Sequence, residues 1–454
     1  MNFESWEKTH PRPQFRRESF FVLHKGWTLN GKKINVPFAP EAPLSCFENG
    51  FLTHLEYNVS FRIPENFLSS DSVVRLHFGA VDQICEVFLN NFFVGSHQGG
   101  YLPFSFDINN FLRKDSENFL LVKVTDKLSH RYPYGKQHKK PHRMWYTQTS
   151  GIWQNVWLEK IPKENEIRAI KITPKKSGVE LEVETSVPNF CVEIKDAGIF
   201  VKDAKSPLKI EIPNPKIWSP DSPFLYDFSV KTQSDCVYSY FALRTCQIRR
   251  VKNRSYFFLN DEPIFLHGVL DQGYFQDGLF LPKTPLGYED DILKMKELGF
   301  NLIRKHIKVE PEAFYYFCDK NGMLVLQDMV NSGPYSLLLD TLIPNFTFKK
   351  RYDAFPFPKN FRRTFFESHS AETIKTLYNH PSIVGWTIFN EGWGQFDSDR
   401  IYEKLKSLDS TRFFDSTSGW FAQKKSDVQS EHKYYSERIY KAKSADKMLF
   451  LSEC

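Results

Sequence analysis

Ile383-Val384-Gly385-Trp386-Thr387-Ile388-Phe389-Asn390-Glu391-Gly392-Trp393 is a short apolar run that closes on a carboxylate. Its length and apolarity read as a buried strand, and the stretch before it, Phe361 to Asn379, reads as a helix. The same cycle of helix then strand runs on both sides. Ile292, Met295 and Leu298 recur at helical spacing, Gly299 is placed as a C-cap, and Phe300 to Arg304 follows as a strand. Pro311 to Lys320 precedes Met323 to Asp328, Arg400 to Leu408 precedes Arg412 to Asp415, and a weaker helix precedes Met448 to Ser452. With Ile264 to Val269 and a weak strand near Val428 to Lys433, seven strands are predicted after about residue 250. Alternating helices and short apolar strands predict a parallel sheet, and over about 200 residues a (β/α)8 TIM barrel, here incomplete by one strand.

Upstream the pattern is β. Val73 to Phe78 and Phe119 to Val124 are short strand-like runs, and Asn90-Asn91 between two of them reads as a hairpin turn. Many short strands separated by turn signals predict a jelly-roll sandwich over residues 1–162. Residues 163–248 alternate more cleanly, as in Val179 to Glu184, and have the size of a small immunoglobulin-like β-sandwich. The fold expected is therefore multidomain β plus α/β, with the barrel occupying residues 249–454.

The bulk numbers bound the function. A formal charge of +6 from 60 basic and 54 acidic residues is too mild and too dispersed for a nucleic-acid partner. Lys139-Lys140 and Lys349-Lys350-Arg351 read as solvated faces. Seven cysteines with no CxxC pair suggest reduced thiols rather than a disulfide framework or a zinc site. Met1 to Lys8 lacks a basic and then apolar leader, and no run has the roughly 18 apolar residues of a membrane span. The expectation is a soluble cytoplasmic protein without a membrane partner. No dinucleotide loop, P-loop or HExxH pattern is present, so no cofactor is expected.

Two glutamates carry the functional reading. Glu391 and Glu453 each close an apolar strand, and a buried strand that ends in a carboxylate aims charge at a cleft. Two such groups on neighbouring strands are the minimum for cutting a glycosidic bond. In this setting the chain resembles glycoside hydrolase family 2, the family of β-galactosidases, β-glucuronidases and β-mannosidases. The resembling stretches follow the family's order. They are Phe78-Gly79-Ala80-Val81-Asp82, Thr149 to Trp157, Trp218 to Tyr226, Tyr240 to Arg244, Leu259 to Val269, and Thr387 to Gln395.

The resemblance implies roles for the residues that match. Glu391 would be the acid/base, its pKa raised by an aromatic shelter of Trp386, Phe389 and Trp393. Glu453 would be the nucleophile, kept ionised by Arg304. Asn390 would hydrogen-bond the sugar 2-hydroxyl, His306 and His432 would reach the sugar, and Tyr434 would hold the nucleophile. Plainer readings stand beside these. Arg304 also suits a structural ion pair, and His306, His432 and Tyr434 also suit core packing. Trp420 suits a sugar-stacking platform or a barrel-rim filler. Trp153 and Trp157 read as core. Asp271 and Asp328 follow the first and third strands and are candidate supporting groups.

The activity so implied is that of a retaining exo-β-glycosidase, with a β-galactoside the first expectation and a β-glucuronide or β-mannoside next. A glucuronide calls for a cation to clamp its carboxylate, and the sequence alone does not locate one. Magnesium or sodium ions, used by some relatives, have no recognisable ligand pattern here, and a homo-oligomer is compatible with the family. The family's pattern continues past the nucleophile with another helix and strand, so a piece of a longer enzyme is expected. The alternative is a non-catalytic carbohydrate-binding or inactive remnant.

Overall fold

The computed structural model describes residues 1–48, 50–336, 338, 353, 360–434 and 441–454. Lys349-Lys350-Arg351 lies outside them. The first sandwich pairs a four-stranded sheet with a six-stranded one. Alternation builds it: in His54–Phe61 the side chains of Leu55, Tyr57, Val59 and Phe61 are buried, while His54, Glu56, Asn58 and Ser60 are exposed. The buried set meets Val74, Leu76 and Phe78 of the facing sheet in one core. Asn90 and Asn91 turn the hairpin between Ile84–Leu89 and Phe92–Gln98, both in the left-handed region. Trp153 and Trp157 are buried, as expected. The second sandwich packs a three-stranded sheet on a four-stranded one around Ile172, Leu181, Val192, Phe228 and Val237.

Seven parallel strands follow: β1 (Gly268–Asp271), β2 (Leu302–Lys305), β3 (Leu324–Asp328), β4 (Ile383–Phe389), β5 (Phe413–Thr417), β6 (Val428–His432) and β7 (Met448–Glu453). Strands β1 to β5 form one sheet, and β6 pairs with β7 in a second. The two sheets meet where the Asp427 backbone N–H donates to the Phe414 carbonyl at 3.0 Å. The described helices are α1 (Leu286–Glu297), α2 (Glu312–Asn321), α3 (Phe361–Leu377) and α4 (Ser398–Leu408).

Three expectations need correction. The first barrel strand begins at Gly268 rather than Ile264, and Phe265, within the predicted strand, is 81 % exposed. Leu298 continues the helical spacing of Ile292 and Met295, yet it is exposed and serves as the C-cap residue, with Gly299 just beyond it in the left-handed region. The helix expected before β7 falls partly on residues 435–440, outside the described set, and 441–447 are not helical.

The strand period of two sorts the barrel's side chains. Leu302, Leu324 and Leu326 point inward and pack with Val384, Phe413, Val428 and Phe450 over Trp218, Phe257 and Leu259, which close the lower end. Ile303 and Val325 point outward to the helices. The same alternation brings Arg304 and Asp328 inside, above the apolar layer. Among the described residues no helix is long and apolar enough to cross a membrane.

A buried arginine ties the sandwiches together. Arg17 donates to both oxygens of Asp235 (2.9 and 2.8 Å), to Glu159 (3.2 Å) and to the Ile167 carbonyl (2.7 Å). Removing one partner of such a group leaves buried charge uncompensated. Arg17→Met is expected to destabilise the protein by about 3–5 kcal/mol, measured by urea unfolding. A loss below about 1 kcal/mol would show that water reaches the two carboxylates.

Candidate active site

The polar groups gather at the carboxyl ends of the barrel strands. Arg304, on β2, is the hub. Its Nε and one terminal nitrogen hold Asp328 in a two-pronged pair at 3.1 and 3.0 Å. The same terminal nitrogen donates to Asn390 Oδ1 at 2.8 Å and to Ser418 Oγ at 3.1 Å. The other donates to Glu453 Oε2 at 3.2 Å and to the Ser452 carbonyl at 3.1 Å, and lies 3.3 Å from His432 Nε2. A guanidinium has only donors, so that nitrogen of His432 accepts, and the imidazole proton sits on Nδ1. From there it faces Glu391 Oε1 at 3.2 Å.

Glu391 and Glu453 share a partner. The Tyr434 hydroxyl lies 2.8 Å from Glu391 Oε1 and 2.9 Å from Glu453 Oε1. Glu391, Glu453 and His432 each bring one ligand-type atom within 4.8 Å of the others. This trio has the donor types of a metal site, but Arg304 and a lysine, Lys136, sit at its carboxylates at 3.2 and 3.5 Å. Two fixed cations there repel a third, so the arrangement suits a reaction with positive charge passing through better than a resident ion. Each glutamate side chain is 17 % exposed and faces the opening.

Glu391 follows β4 in the left-handed region (φ 53°), with Gly392 next to it also left-handed. A non-glycine residue held there marks a position fixed by its surroundings. The backbone N–H of Glu391 donates to Ser418 Oγ at 3.3 Å, and that hydroxyl donates to Asn390 Oδ1 at 3.0 Å. Its charge state differs from expectation. Burial pushes the carboxyl up, but the Lys136 ammonium, His432 and the Tyr434 hydroxyl together hold it below the ordinary carboxylate range. The expected aromatic shelter fails for a geometric reason. Phe389 stacks on Phe366, and the Trp386 indole donates to Asp409, so both face the helical layer. Only Trp393 stays near, with Lys136 over its ring.

The remaining candidates fall into place around this pair. His306 Nδ1 lies 3.1 Å from Asp328 Oδ2, and its Nε2 lies 3.4 Å from the Lys136 ammonium. An ammonium only donates, so Nε2 accepts and Nδ1 carries the proton. Trp420 lies 5.5 Å from the His432 ring and 6.5 Å from that of Tyr434, at the rim of the site. Asp328 belongs to the hub, whereas Asp271 pairs with Lys305 at 2.6 Å and stands apart from the carboxylate pair.

Lys136 and Ser418 escaped the sequence reading. Ser418 follows β5, and one hydroxyl among many carries no pattern. Lys136 comes from the first sandwich. Its segment is anchored at the barrel mouth by Tyr134, whose N–H donates to the Asn331 carbonyl (3.0 Å) and whose hydroxyl donates to the Gly333 carbonyl (3.1 Å). Gly135 permits the turn: it is left-handed, and a Cβ there would meet the Tyr101 hydroxyl at 2.5 Å.

Comparison with known proteins agrees with this architecture. Residues 34–162 match the profile "Glycosyl hydrolases family 2, sugar binding domain", 166–244 match "Glycosyl hydrolases family 2", and 250–448 match "Glycosyl hydrolases family 2, TIM barrel domain". The chain belongs to glycosyl hydrolase family 2. A β-galactosidase of Thermoanaerobacter pseudethanolicus is 28% identical over 304 residues, 60% of this chain and 39% of the relative. A β-glucuronidase of Bacteroides fragilis is 26% identical over 345 residues, 70% of this chain and 47% of the relative. The chain thus spans less than half the length of these two curated relatives. In fold it resembles the β-D-glucuronidase of Dictyoglomus thermophilum, with a TM-score of 0.73 at 20% identity over 93% of this chain and 77% of that one. It also resembles a β-galacturonidase of Eisenbergiella tayi, with a TM-score of 0.65 at 22% identity over 89% and 72% of the two chains.

One buried acid below the site predicts a pH effect. Burial pushes the Asp415 carboxyl on β5 up from 3.8 to about 6. As pH rises through this window the unfolded chain ionises first, so stability falls from about pH 4 to about pH 6 and then levels. Asp415→Asn abolishes that slope. The variant is expected to gain on the order of 2 kcal/mol over wild type at about pH 8 and nothing at about pH 4, by urea unfolding. Parallel stability curves across that range would contradict the raised value.

Proposed function

We propose that this chain carries the catalytic centre of a retaining exo-β-glycosidase. The observation that carries the reading is the pair Glu391 and Glu453, held by one phenol with oxygens within 4.8 Å. Retaining enzymes place their carboxyls about 5–5.5 Å apart, whereas inverting ones leave about 6.5–9.5 Å for a water. In this reading Glu453, braced by Arg304, attacks the anomeric carbon and forms a glycosyl ester. Glu391 gives its proton to the departing oxygen and then takes one from the water that releases the sugar. Asn390 is held through its carbonyl oxygen by Arg304 and Ser418, which turns its amide N–H groups towards the cleft and a sugar hydroxyl. Trp420 at the rim offers a face for stacking.

The relatives' names span β-galactosidase, β-glucuronidase and β-galacturonidase. The substrate proposed is accordingly a terminal β-linked hexose or hexuronic acid, with carbohydrate as the partner and no organic cofactor in the chemistry.

Hydrolysis of p-nitrophenyl β-glycosides by the chain tests this. The first-formed sugar is expected to be the β-anomer by proton NMR, and Glu453→Ala is expected to lower kcat by at least about 10³-fold. Glu391→Ala should lower kcat/KM by about 10²–10⁴-fold on alkyl glycosides, and by less on nitrophenyl glycosides, whose leaving group needs little protonation. An α-anomer as first product would replace the nucleophile assignment. Silence from a folded sample would leave the carbohydrate-binding alternative.

A further inference from the structure

Lys136 is an unusual cation. Its side chain is 7 % exposed, and its ammonium meets three groups: Glu391 Oε2 at 3.5 Å, His306 Nε2 at 3.4 Å and the face of Trp393 at 5.5 Å from the ring centroid. Among the described residues, Glu391 is the carboxylate within 4 Å of it. His306 does not supply charge. Its Nδ1 is committed to Asp328, and burial together with Lys136 lowers its pKa, so it stands as a neutral acceptor. Trp393 offers only its π face. The other charged and titratable groups around Glu391 are His432, Tyr434 and Glu453, and Arg304 already holds Asp328 and Glu453.

The proposed chemistry then meets a contradiction. A general acid delivers a proton, so Glu391 must be neutral when the glycosidic bond breaks. At that moment Lys136 becomes a buried cation among neutral neighbours, which is a costly state for a group that cannot turn to water. Nor does the backbone let it withdraw. Gly135 and Lys136 are both left-handed, Tyr134 is pinned to Asn331 and Gly333, and the Gln137 amide donates to Asp82 Oδ2 at 3.3 Å and stays 3.0 Å from the Tyr101 hydroxyl. An anion brought by the substrate removes the contradiction.

We propose that the substrate is an acidic glycoside whose carboxylate takes the place of Glu391 as the partner of Lys136. The inference rests on the glycosidase reading above. When the substrate carboxylate pairs with the ammonium, Glu391 is released from its ion pair and takes a proton from solvent. It passes that proton to the leaving oxygen as the bond to the anomeric carbon breaks, and recovers one from the attacking water. The proton balance closes over one turnover. The carboxylate can sit on the sugar that is released or on the leaving group, since Glu391 lies between the two.

Two pairs of substrates separate these sources. One compares p-nitrophenyl β-D-glucuronide and β-D-galacturonide with the corresponding glucoside and galactoside. The other compares 4-carboxyphenyl β-D-galactoside with its methyl ester. In at least one pair the wild-type chain is expected to favour the acid by about 30–100-fold in kcat/KM, the worth of a charge-assisted contact in a desolvated site. Lys136→Gln should bring that ratio close to one, and Lys136→Arg should keep most of it. A wild-type preference for the neutral member of both pairs overturns the proposal, as does a ratio that Lys136→Gln leaves unchanged. Loss of the glycosidase reading itself shows differently, as absence of turnover on every substrate. Calorimetric titration with D-glucuronate, D-galacturonate and 4-hydroxybenzoate against D-glucose, D-galactose and methyl 4-hydroxybenzoate then decides for Lys136: acid-selective binding in at least one comparison, lost in Lys136→Gln, supports it, and equal binding of acid and neutral partners in every comparison overturns it.

Discussion

The guanidinium of Arg304 is the constraint on which the rest of the site depends. A cation this deep in a barrel is tolerable only if its donors are all answered, and here they are answered by Asp328, Asn390, Ser418, Glu453 and the Ser452 carbonyl. Those partners come from β3, from the turns after β4 and β5, and from β7. One planar group therefore fixes the relative positions of four strand ends. It also sets chemistry at one remove: by donating to His432 Nε2 it leaves the imidazole proton on the nitrogen that faces Glu391. Burial of the apolar layer beneath supplies the complementary demand, because Leu302, Leu324 and Leu326 keep water from the underside of the cation.

The barrel strands alone do not make the site. The first sandwich contributes Lys136, and Tyr146 from the same domain lies 6.4 Å from the His306 ring, so one wall of the cleft belongs to a different domain from the carboxylates. That wall is joined to the barrel by many polar contacts rather than by a single seam. Tyr274 donates to the Thr147 carbonyl at 3.1 Å, and the Gly333 N–H donates to the His130 carbonyl at 2.8 Å. Contacts of this kind, to backbone carbonyls on both sides, fix where that wall stands relative to the strand ends.

Much of this was legible in the sequence, for reasons that differ by residue. The fourth strand was readable to the residue because a buried parallel strand is apolar throughout and its end is marked by the polar Asn390-Glu391 pair. Arg304 was readable because a charged residue at the end of such a run has few places to go. Glu391 and Glu453 are read from their match to the family's catalytic pair, His306, His432 and Tyr434 as softer assignments beside them, and Trp420 from its ring alone; the structure gathers all six around one cleft. The first barrel strand was misplaced because Ile264-Phe265-Leu266 is as apolar as a strand, yet lies where neighbouring strands do not cover it. The charge of Glu391 was misjudged because Trp386 and Phe389 share a strand with it, and sequence adjacency hides which face a ring takes. Lys136 was invisible for a deeper reason: it lies in a long irregular segment more than 250 residues from Glu391, where no periodicity or spacing joins the two.

That placement has a consequence for how such proteins diversify. In the reading proposed above, the groups that make and break the bond are on the barrel, while the cation facing them rides on the first sandwich, at the tip of a segment whose shape is set by Gly135 and its neighbours. Changes in that segment can reverse the sign of charge in the cleft without touching a barrel residue. If Lys136 sets the preference for acidic substrates, an exchange of the amino-terminal module between two relatives would carry such a change in one step, and selectivity would be inherited independently of the barrel.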